Sequence, residues 1–417
     1  MRKILKIILQ ILTKKAIQRY KPLVIGVTGT VGKTTTKEAI FTVISGKFRA
    51  RKNKLNFNNE IGVPMAVLGF DSQTKIGWLA NILKSLWLCF GLKQKNYPAI
   101  LVLELAADKP KDISYLVDMV RPTVGVITAI GETPVHVEFY ASSKDVAKEK
   151  SNLIKHLPPS GGLAILNYDD LTVLEMKDET KAKVMTFGFS ADADVFASDV
   201  SYFGPEQDGV LGGISFKIHH KNSFIPIRLN NLIGRPLIYS FLAAVVVGLD
   251  LGMNLVEISQ SFSNFIPPKS RASLVRGIKN TIIIDDTYNA SPVAMHVALE
   301  TLRDFAQVSQ EQRGGGFGRK IAVLGDMKEL GVHTMQAHEA VGNLAGEIVD
   351  VLITVGEATR FIADAAKNQM PADKIFEFSN AEQAKIKVHE ILREGDVVLI
   401  KGSRSMQMEK IVEECWG

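Results

Sequence analysis

The segment GVTGTVGKTTTK, residues 26–37, carries the residue types that hold a nucleotide's phosphates. Glycines at 26, 29 and 32 let backbone N–H groups approach phosphate oxygens, and a helix opening at Lys33 turns the positive end of its dipole toward them. Lys33 would neutralise the terminal phosphates, and the Thr34 hydroxyl would meet a Mg²⁺ ion. Gly29, Thr30, Gly32 and Thr35 complete the cradle. The strict form of such a P-loop has glycine where Val27 stands, so the loop is a variant, and ATP binding is what it predicts. Glu104 sits in the apolar run AILVLELAA, residues 99–107. A carboxylate there is either structural or, beside a nucleotide loop, a Mg²⁺ ligand. His136 follows TVGVITAI (123–130) and is the only histidine near that strand end; taken alone, a structural histidine is its plainer reading.

These groups need a scaffold. LVIGVT before the loop, AILVLELAA and TVGVITAI are continuous apolar runs of strand length, the pattern of a parallel sheet buried on both faces. KEAIFTVIS and KDISYLVDMV read as helices between them. From 161 the pattern loosens into LAILNYDD and a polar meander over 188–230, then PLIYSFLAAVVVGLDLG reads as a long buried helix. Pro267-Pro268 marks a boundary. Beyond it, NTIIIDD, KIAVLGD, VDVLITVG and GDVVLIKG alternate with helical stretches, and SQEQRGGGFGRK (309–320) reads as a mobile loop. The expected fold is α/β: a central P-loop ATPase domain with a parallel sheet (23–267), plus a smaller C-terminal Rossmann-like α/β domain (268–417), behind a basic amphipathic helix (1–22).

The 417 residues are 46% apolar and 23% charged, which excludes a disordered chain. Two cysteines exclude a disulfide scaffold and a four-cysteine zinc site. The net charge of +6 is concentrated: residues 1–21 hold seven bases and no acid, so the remainder nets −1 and a nucleic-acid binder is not expected. In this arm positions 4, 5, 8, 9, 12 and 16 line one apolar helical face. A second such segment is IGWLANILKSLWLCFGLK, residues 76–93. Three readings of the two stay open: packing on the domain, a peripheral membrane helix, or a partner-protein surface. Neither is a spanning helix, and the arm lacks a signal-peptide cleavage pattern. A cytoplasmic protein, in one reading at the inner face of the membrane, is expected.

Four more motifs follow the P-loop in order: NFNNEIGVP (56–64), YNASP (288–292), VLGDMKELG (323–331) with His338 after it, and KGSRSM (401–406). With them the chain resembles the Mur ligase family, in its D-alanyl-D-alanine-adding, MurF-type branch. The resemblance implies an ADP-forming ATP-dependent amide ligase of peptidoglycan precursor synthesis, joining D-Ala-D-Ala to a muramoyl-tripeptide through an acyl phosphate. It implies two Mg²⁺ ions, with Thr34 and Glu104 as ligands of one and His136 helping to hold the second. Lys150, in DVAKEKSNLI, matches a lysine that CO₂ converts to a carbamate ligand; Lys148 competes by eye, and the family spacing favours Lys150. Arg271 would reach the phosphates on domain closure, making Lys33, His136, Lys150 and Arg271 the catalytic set. Asp286 would bind the ribose, a role Asp285 could share, and Tyr288 and Asn289 would flank the nucleotide. Asn58, Asn59, Lys401, Ser403 and Arg404 would face the peptide substrates.

Two departures qualify that expectation. Full-length enzymes of the MurF type begin with a domain that grips the substrate's uridine nucleotide, whereas here the loop starts at residue 26; the substrate could then be held by the remaining domains, by a partner, or at a membrane. In IGRPLIYSFLAA (233–244), Arg235, Pro236 and Ser240 stand where the family usually has histidine and asparagine after the glycine. The alternatives are a folylpolyglutamate-synthase-like or other Mur-type ligase acting on a substrate without UDP, and a membrane-associated P-loop nucleotide switch.

Overall fold

The computed structural model describes residues 2–54, 57–70, 75–107, 109–130, 140, 142–206, 208–312 and 318–417. The chain forms two compact units. Unit 1 comprises Met1–Ser198, Ile218–Ile225 and Pro236–Ile266; unit 2 comprises Asp199–Lys217, Pro226–Arg235 and Pro267–Gly417.

The first part of the chain runs α1 (Arg2–Tyr20), β1 (Leu23–Thr28), α2 (Lys33–Ser45), β2 (Ala50–Lys52), α3 (Gly62–Leu68) and α4 (Lys75–Phe90). There follow β3 (Ile100–Glu104), α5 (Asp112–Val120), β4 (Val124–Ile127), α6 (Ser143–Lys155), β5 (Leu163–Asn167), α7 (Leu171–Leu174) and β6 (Lys183–Gly188). Next come β7 (Val195–Phe203), β8 (Gly213–His220), β9 (Ser223–Asn230), α8 (Arg235–Asp250) and α9 (Leu255–Ser261). The nine strands lie in the order β2-β3-β1-β4-β5-β6-β7-β8-β9, and every pair from β2 to β7 is parallel. β3, β4 and β5 are buried along their whole length, so their apolar runs have a helix layer to fill on either face.

The arm's geometry corrects one expectation. Leu9, Leu12, Ala16 and Ile17 are buried against unit 1, with Leu5 packed beside them, but Ile4 is 64% exposed and Ile8 also faces out. The helix is apolar around more of its circumference than a single stripe, and packing takes only one part of it. Its C-terminal turn is tied down: Arg19 donates to the carbonyls of Cys89 (2.8 Å) and Gly91, and the Tyr20 hydroxyl donates to that of Leu88 (3.1 Å).

Unit 2 contains β10 (Ser273–Arg276), β11 (Ile282–Asp286), α10 (Pro292–Gln312), β12 (Lys320–Gly325), α11 (Thr334–Ile348) and β13 (Val351–Val355). It ends with α12 (Arg360–Ala366), β14 (Ile375–Phe378), α13 (Ala381–Ile391), β15 (Val397–Lys401) and α14 (Glu409–Glu414). The sheet order is β10-β11-β15-β12-β13-β14, parallel except for the antiparallel pair β10–β11. Alternate residues of its strands feed two cores: Ile282, Ile284 and Leu324 pack with Leu299 and Phe305 of α10, while Ile283, Val323 and Ile400 pack with Val388 and Ile411. Residues 309–312, expected in a mobile loop, instead complete α10; 313–317 lie outside the described residues. The α/β expectation therefore holds for both sheets. Among the described residues no helix is long and apolar enough to cross a membrane.

Candidate active site

β1 lies between β3 and β4, with Val27 level with Glu104 on one side and Val126 on the other. The carboxyl ends of three strands thus meet at the loop 29–32, where open α/β sheets bind ligands. Gly29 (φ +148°) and Gly32 (φ +83°) both need conformations that disfavour side chains; a Cβ on Gly29 would lie 2.0 Å from the Thr128 hydroxyl. That hydroxyl donates to the carbonyl of Val31 at 2.6 Å and holds the loop in place. Lys33 Nζ folds back to the carbonyl of Thr30 at 3.0 Å. α2 opens at Lys33 with no side-chain cap and no acid in its first turn, so its N-terminal field is uncancelled by its own residues. Thr34 and Thr35 are buried at that turn, and the buried Thr30 hydroxyl has no hydrogen-bond partner among the described residues. Ser240 of α8 takes part here: the Thr36 hydroxyl donates to its Oγ at 3.0 Å.

Glu104 is buried and held from several sides. Asn58 Nδ2 donates to its Oε1 at 3.0 Å, and Lys37 Nζ lies 3.8 Å from its Oε2. Asn53 accepts from the Glu104 N–H (2.9 Å) and donates to its carbonyl (3.1 Å) and to that of Phe57 (2.7 Å). The ladder between β2 and β3 ends at Lys52, so the Asn53 amide continues it where the backbone departs. Lys37 is fully buried and is compensated by the Asn53 carbonyl (2.9 Å) and Glu38 (3.2 Å) as well as by Glu104. Asn59 caps the chain entering α3, accepting from the N–H groups of Ile61 and Gly62.

On α6 the two candidate lysines differ: Lys148 is exposed and Lys150 is only 5% exposed. Glu149 between them is occupied, accepting from the N–H groups of Lys111 and Ile113 at the start of α5. His136 lies outside the described residues. Among the described residues there is no cluster of three His, Cys, Asp or Glu that could hold a metal. Thr34 and Glu104 offer a hydroxyl and a carboxylate, the hard oxygen donors that suit Mg²⁺.

In unit 2, Arg271 stands between Ser270 (φ +62°) and Ala272 (φ +49°), both in the left-handed region. Its guanidinium lies 3.9 Å from the centre of the Tyr288 ring, and its buried Nε has no hydrogen-bond partner among the described residues. Asp286 and Lys401 are level on β11 and β15. Lys401 is buried, and its Nζ reaches Asp286 at 2.5 Å and the carbonyl of Asn289 at 2.9 Å. Burial pushes the Asp285 carboxyl above the usual range, against its bonds from Thr287. The buried Ser403 hydroxyl accepts from the N–H of Lys328 (2.9 Å), whereas Arg404 is exposed and pairs with Glu409 (2.9 Å). Asp326 accepts from Lys328 Nζ and the Thr359 N–H, and His338 Nε2 accepts from the Met327 N–H at 3.1 Å. The VLGDMKELG turn is thereby fixed by its own Asp326–Lys328 pair and by Ser403 and His338 from outside it.

Within unit 1 the structure thus gathers the loop, Thr34, Glu104 and Asn58; within unit 2 it gathers Arg271 with Tyr288 and Asp286 with Asn289 and Lys401. Sequence reasoning passed over Lys37, Asn53 and Thr128, which brace the first group. None of the three carried a signal of its own: Lys37 follows three threonines and precedes Glu38, as a solvated helical lysine would.

Two family models match: the Mur ligase middle domain over residues 81–248, and the Mur ligase glutamate ligase domain over 270–404. A UDP-N-acetylmuramoyl-tripeptide–D-alanyl-D-alanine ligase of Bacillus subtilis is 29% identical over 407 residues, 97% of this chain and 78% of that one. Among solved structures, MurF from Acinetobacter baumannii aligns with a TM-score of 0.76 at 26% identity, covering 98% of this chain and 80% of its own. MurF from Thermotoga maritima in complex with ADP aligns with a TM-score of 0.77 at 25% identity, covering 97% and 82%. Consecutive family domains, a phosphate loop at the first sheet's carboxyl edge and an alignment over nearly the whole chain establish that this protein belongs to the Mur ligase family.

Proposed function

We propose that the chain is an ATP-dependent, ADP-forming ligase that joins D-Ala-D-Ala to a muramoyl-tripeptide in peptidoglycan precursor synthesis. The observation that carries the ATP chemistry is the uncapped loop-to-helix junction at Gly32–Lys33, with the braced Glu104 carboxylate on the adjacent strand; the two substrates are those for which the matched relatives are named. Its ATP requirement puts the reaction in the cytoplasm.

Forming an amide from a carboxylate and an amine in water is uphill, so the acid must be activated. The acid's oxygen attacks the γ-phosphorus, giving an acyl phosphate and ADP. The amine then adds to the acyl carbon, and the tetrahedral adduct expels inorganic phosphate as the amine loses its proton. Such transfer asks the protein chiefly for positioning and charge neutralisation. The loop N–H groups and Lys33 orient the phosphates, and Arg271, by the resemblance, would bring a second positive charge to them. Asp286, held by Lys401, presents a carboxylate to the ribose, with Tyr288 and Asn289 beside the nucleotide. Lys401 and Asn58 act here by holding Asp286 and Glu104, while Asn59, Ser403 and Arg404 are assigned to the peptide side by resemblance.

Thr34 and Glu104 would hold Mg²⁺, which supplies charge neutralisation at the phosphates when bound. A neutral Lys150 amine adding to CO₂ would lose one proton and become a carbamate, turning a buried cation into an oxygen donor; His136 would join it by the same resemblance. Phosphate release from ATP is the test, with D-Ala-D-Ala and either UDP-N-acetylmuramoyl-tripeptide or the same muramoyl-tripeptide without UDP. Release that requires both an acid and an amine is expected. Release independent of either would leave a nucleotide switch in its place.

A further inference from the structure

α1 and α4 lie side by side on unit 1, joined by the bonds from Arg19 and Tyr20 and by Cys89 Sγ, which donates to the carbonyl of Leu12 at 3.3 Å. Their buried sides face the core, yet their outer sides are also apolar. On α1, Ile4, Ile7, Ile8 and Ile11 form an exposed row at helical spacing. On α4 and the turn after it, Leu83, Trp87, Phe90 and Leu92 are exposed, Trp87 at 58% and Leu92 at 80%. Lys15 sits 5.8 Å from the centre of the Phe90 ring, so the open edges of the two helices adjoin.

Charge narrows what such a surface meets. Residues 1–21 and 72–103 contain no acid at all, while carrying eleven bases. Of these, Lys6 and Lys14 are matched by Glu60 and Asp118 of neighbouring elements. Lys15, Lys21, Lys84, Lys93 and Lys95 are exposed. Exposed aliphatic and aromatic side chains beside bases, with no acid among them, are what an interfacial helix needs to enter the headgroup boundary of an anionic bilayer. We propose that the outer faces of α1 and α4 together form a peripheral docking surface for anionic lipid. Both helices are already folded and pinned to the domain, so docking requires no rearrangement of either. The inference stands on this surface alone and does not depend on the reaction catalysed.

The test is co-sedimentation of the full chain with phosphatidylcholine vesicles, with and without phosphatidylglycerol. Pelleting with the anionic vesicles alone, reversed by high salt, is expected. Lys15→Gln and Lys84→Gln should each lower partitioning about fivefold, and they leave the apolar surface intact. Ile4→Ser combined with Trp87→Ser should abolish it while circular dichroism stays unchanged. A blue shift of the tryptophan emission on adding anionic vesicles, lost in Trp87→Phe, would support insertion. Absence of pelleting at low salt would overturn the proposal, as would pelleting unaffected by both lysine variants. So would a concentration-dependent dimer in a chain that ignores the vesicles, which would assign the face to a second copy.

Discussion

Replacing Asn53 by alanine tests whether Glu104 depends on its backbone brace. The side chain is fully buried and makes three hydrogen bonds, two of them to the Glu104 peptide groups and one to Phe57. At about 1 kcal/mol net for each bond, their loss removes about 3 kcal/mol, more if the Glu104 N–H finds no water. Little offsets this, because β2 has already ended at Lys52 and no backbone group takes the amide's place. Urea unfolding of unit 1 should move accordingly, by roughly two factors of ten in the folding constant. If Glu104 is a Mg²⁺ ligand, the same change should weaken metal-dependent ADP binding about 10- to 100-fold, the usual effect of losing an outer partner. Asn58→Ala is the companion variant: it removes the contact to Oε1 but leaves the backbone braced, so it should affect Mg²⁺ more than stability. A stability change in Asn53→Ala below about 0.5 kcal/mol, the scale of an ordinary surface substitution, would refute the argument.

Gly29→Ala would place a Cβ 2.0 Å from Thr128 Oγ1 at a φ of +148°, breaking that hydroxyl's bond to Val31. ADP affinity, read by calorimetry, should fall at least about tenfold, and Thr128→Ala in the same chain should recover only part because the backbone strain remains. Lys150→Ala should abolish ligation, with partial rescue by a short-chain carboxylate; wild-type turnover in the mutant, or no rescue, would remove the carbamate. Burial holds the His338 imidazole below its ordinary value of 6.5. The unfolded chain therefore binds the proton first, and stability should decline as pH falls below about 6.5, where the Nε2 lone pair facing Met327 is lost. His338→Gln, which can accept there without titrating, should flatten that slope in thermal melts.

The legible parts of the fold were those with one strong physical requirement. LVIGVT, AILVLELAA and TVGVITAI declare themselves because a strand covered on both faces cannot carry polar residues in its middle. The sequence ARK of β2 and IFEF of β14 gave no such sign, since each lies at a sheet edge and is only partly covered. The P-loop was readable because glycine, lysine and threonine at that spacing serve few other ends. Asn53 and Thr128 were not, because a buried side chain that completes a backbone ladder looks in sequence like any polar residue. The motif residues held a different surprise. Asn59, Lys401 and Ser403 are substrate-facing by resemblance, and each also makes bonds within its own unit, to α3, to Asp286 and to Lys328. A motif reports that a residue is needed; which atoms need it is a matter of geometry.

Unit 2 is drawn from three stretches of chain, and that division has a bearing on synthesis at the ribosome. The last residues of unit 1 emerge by 266, but Leu211 and Ile233 belong to the core completed by Met295, Leu299 and Phe305. At about 5–20 residues per second, Leu211 waits roughly 5–20 s for the helix that covers it. During that interval unit 1 can close while these apolar side chains remain in water, open to chaperones or to another nascent copy. A fragment ending at 266 would fix that interval permanently. Making unit 1 soluble by itself therefore calls for polar residues at 211 and 233 as well as a new terminus.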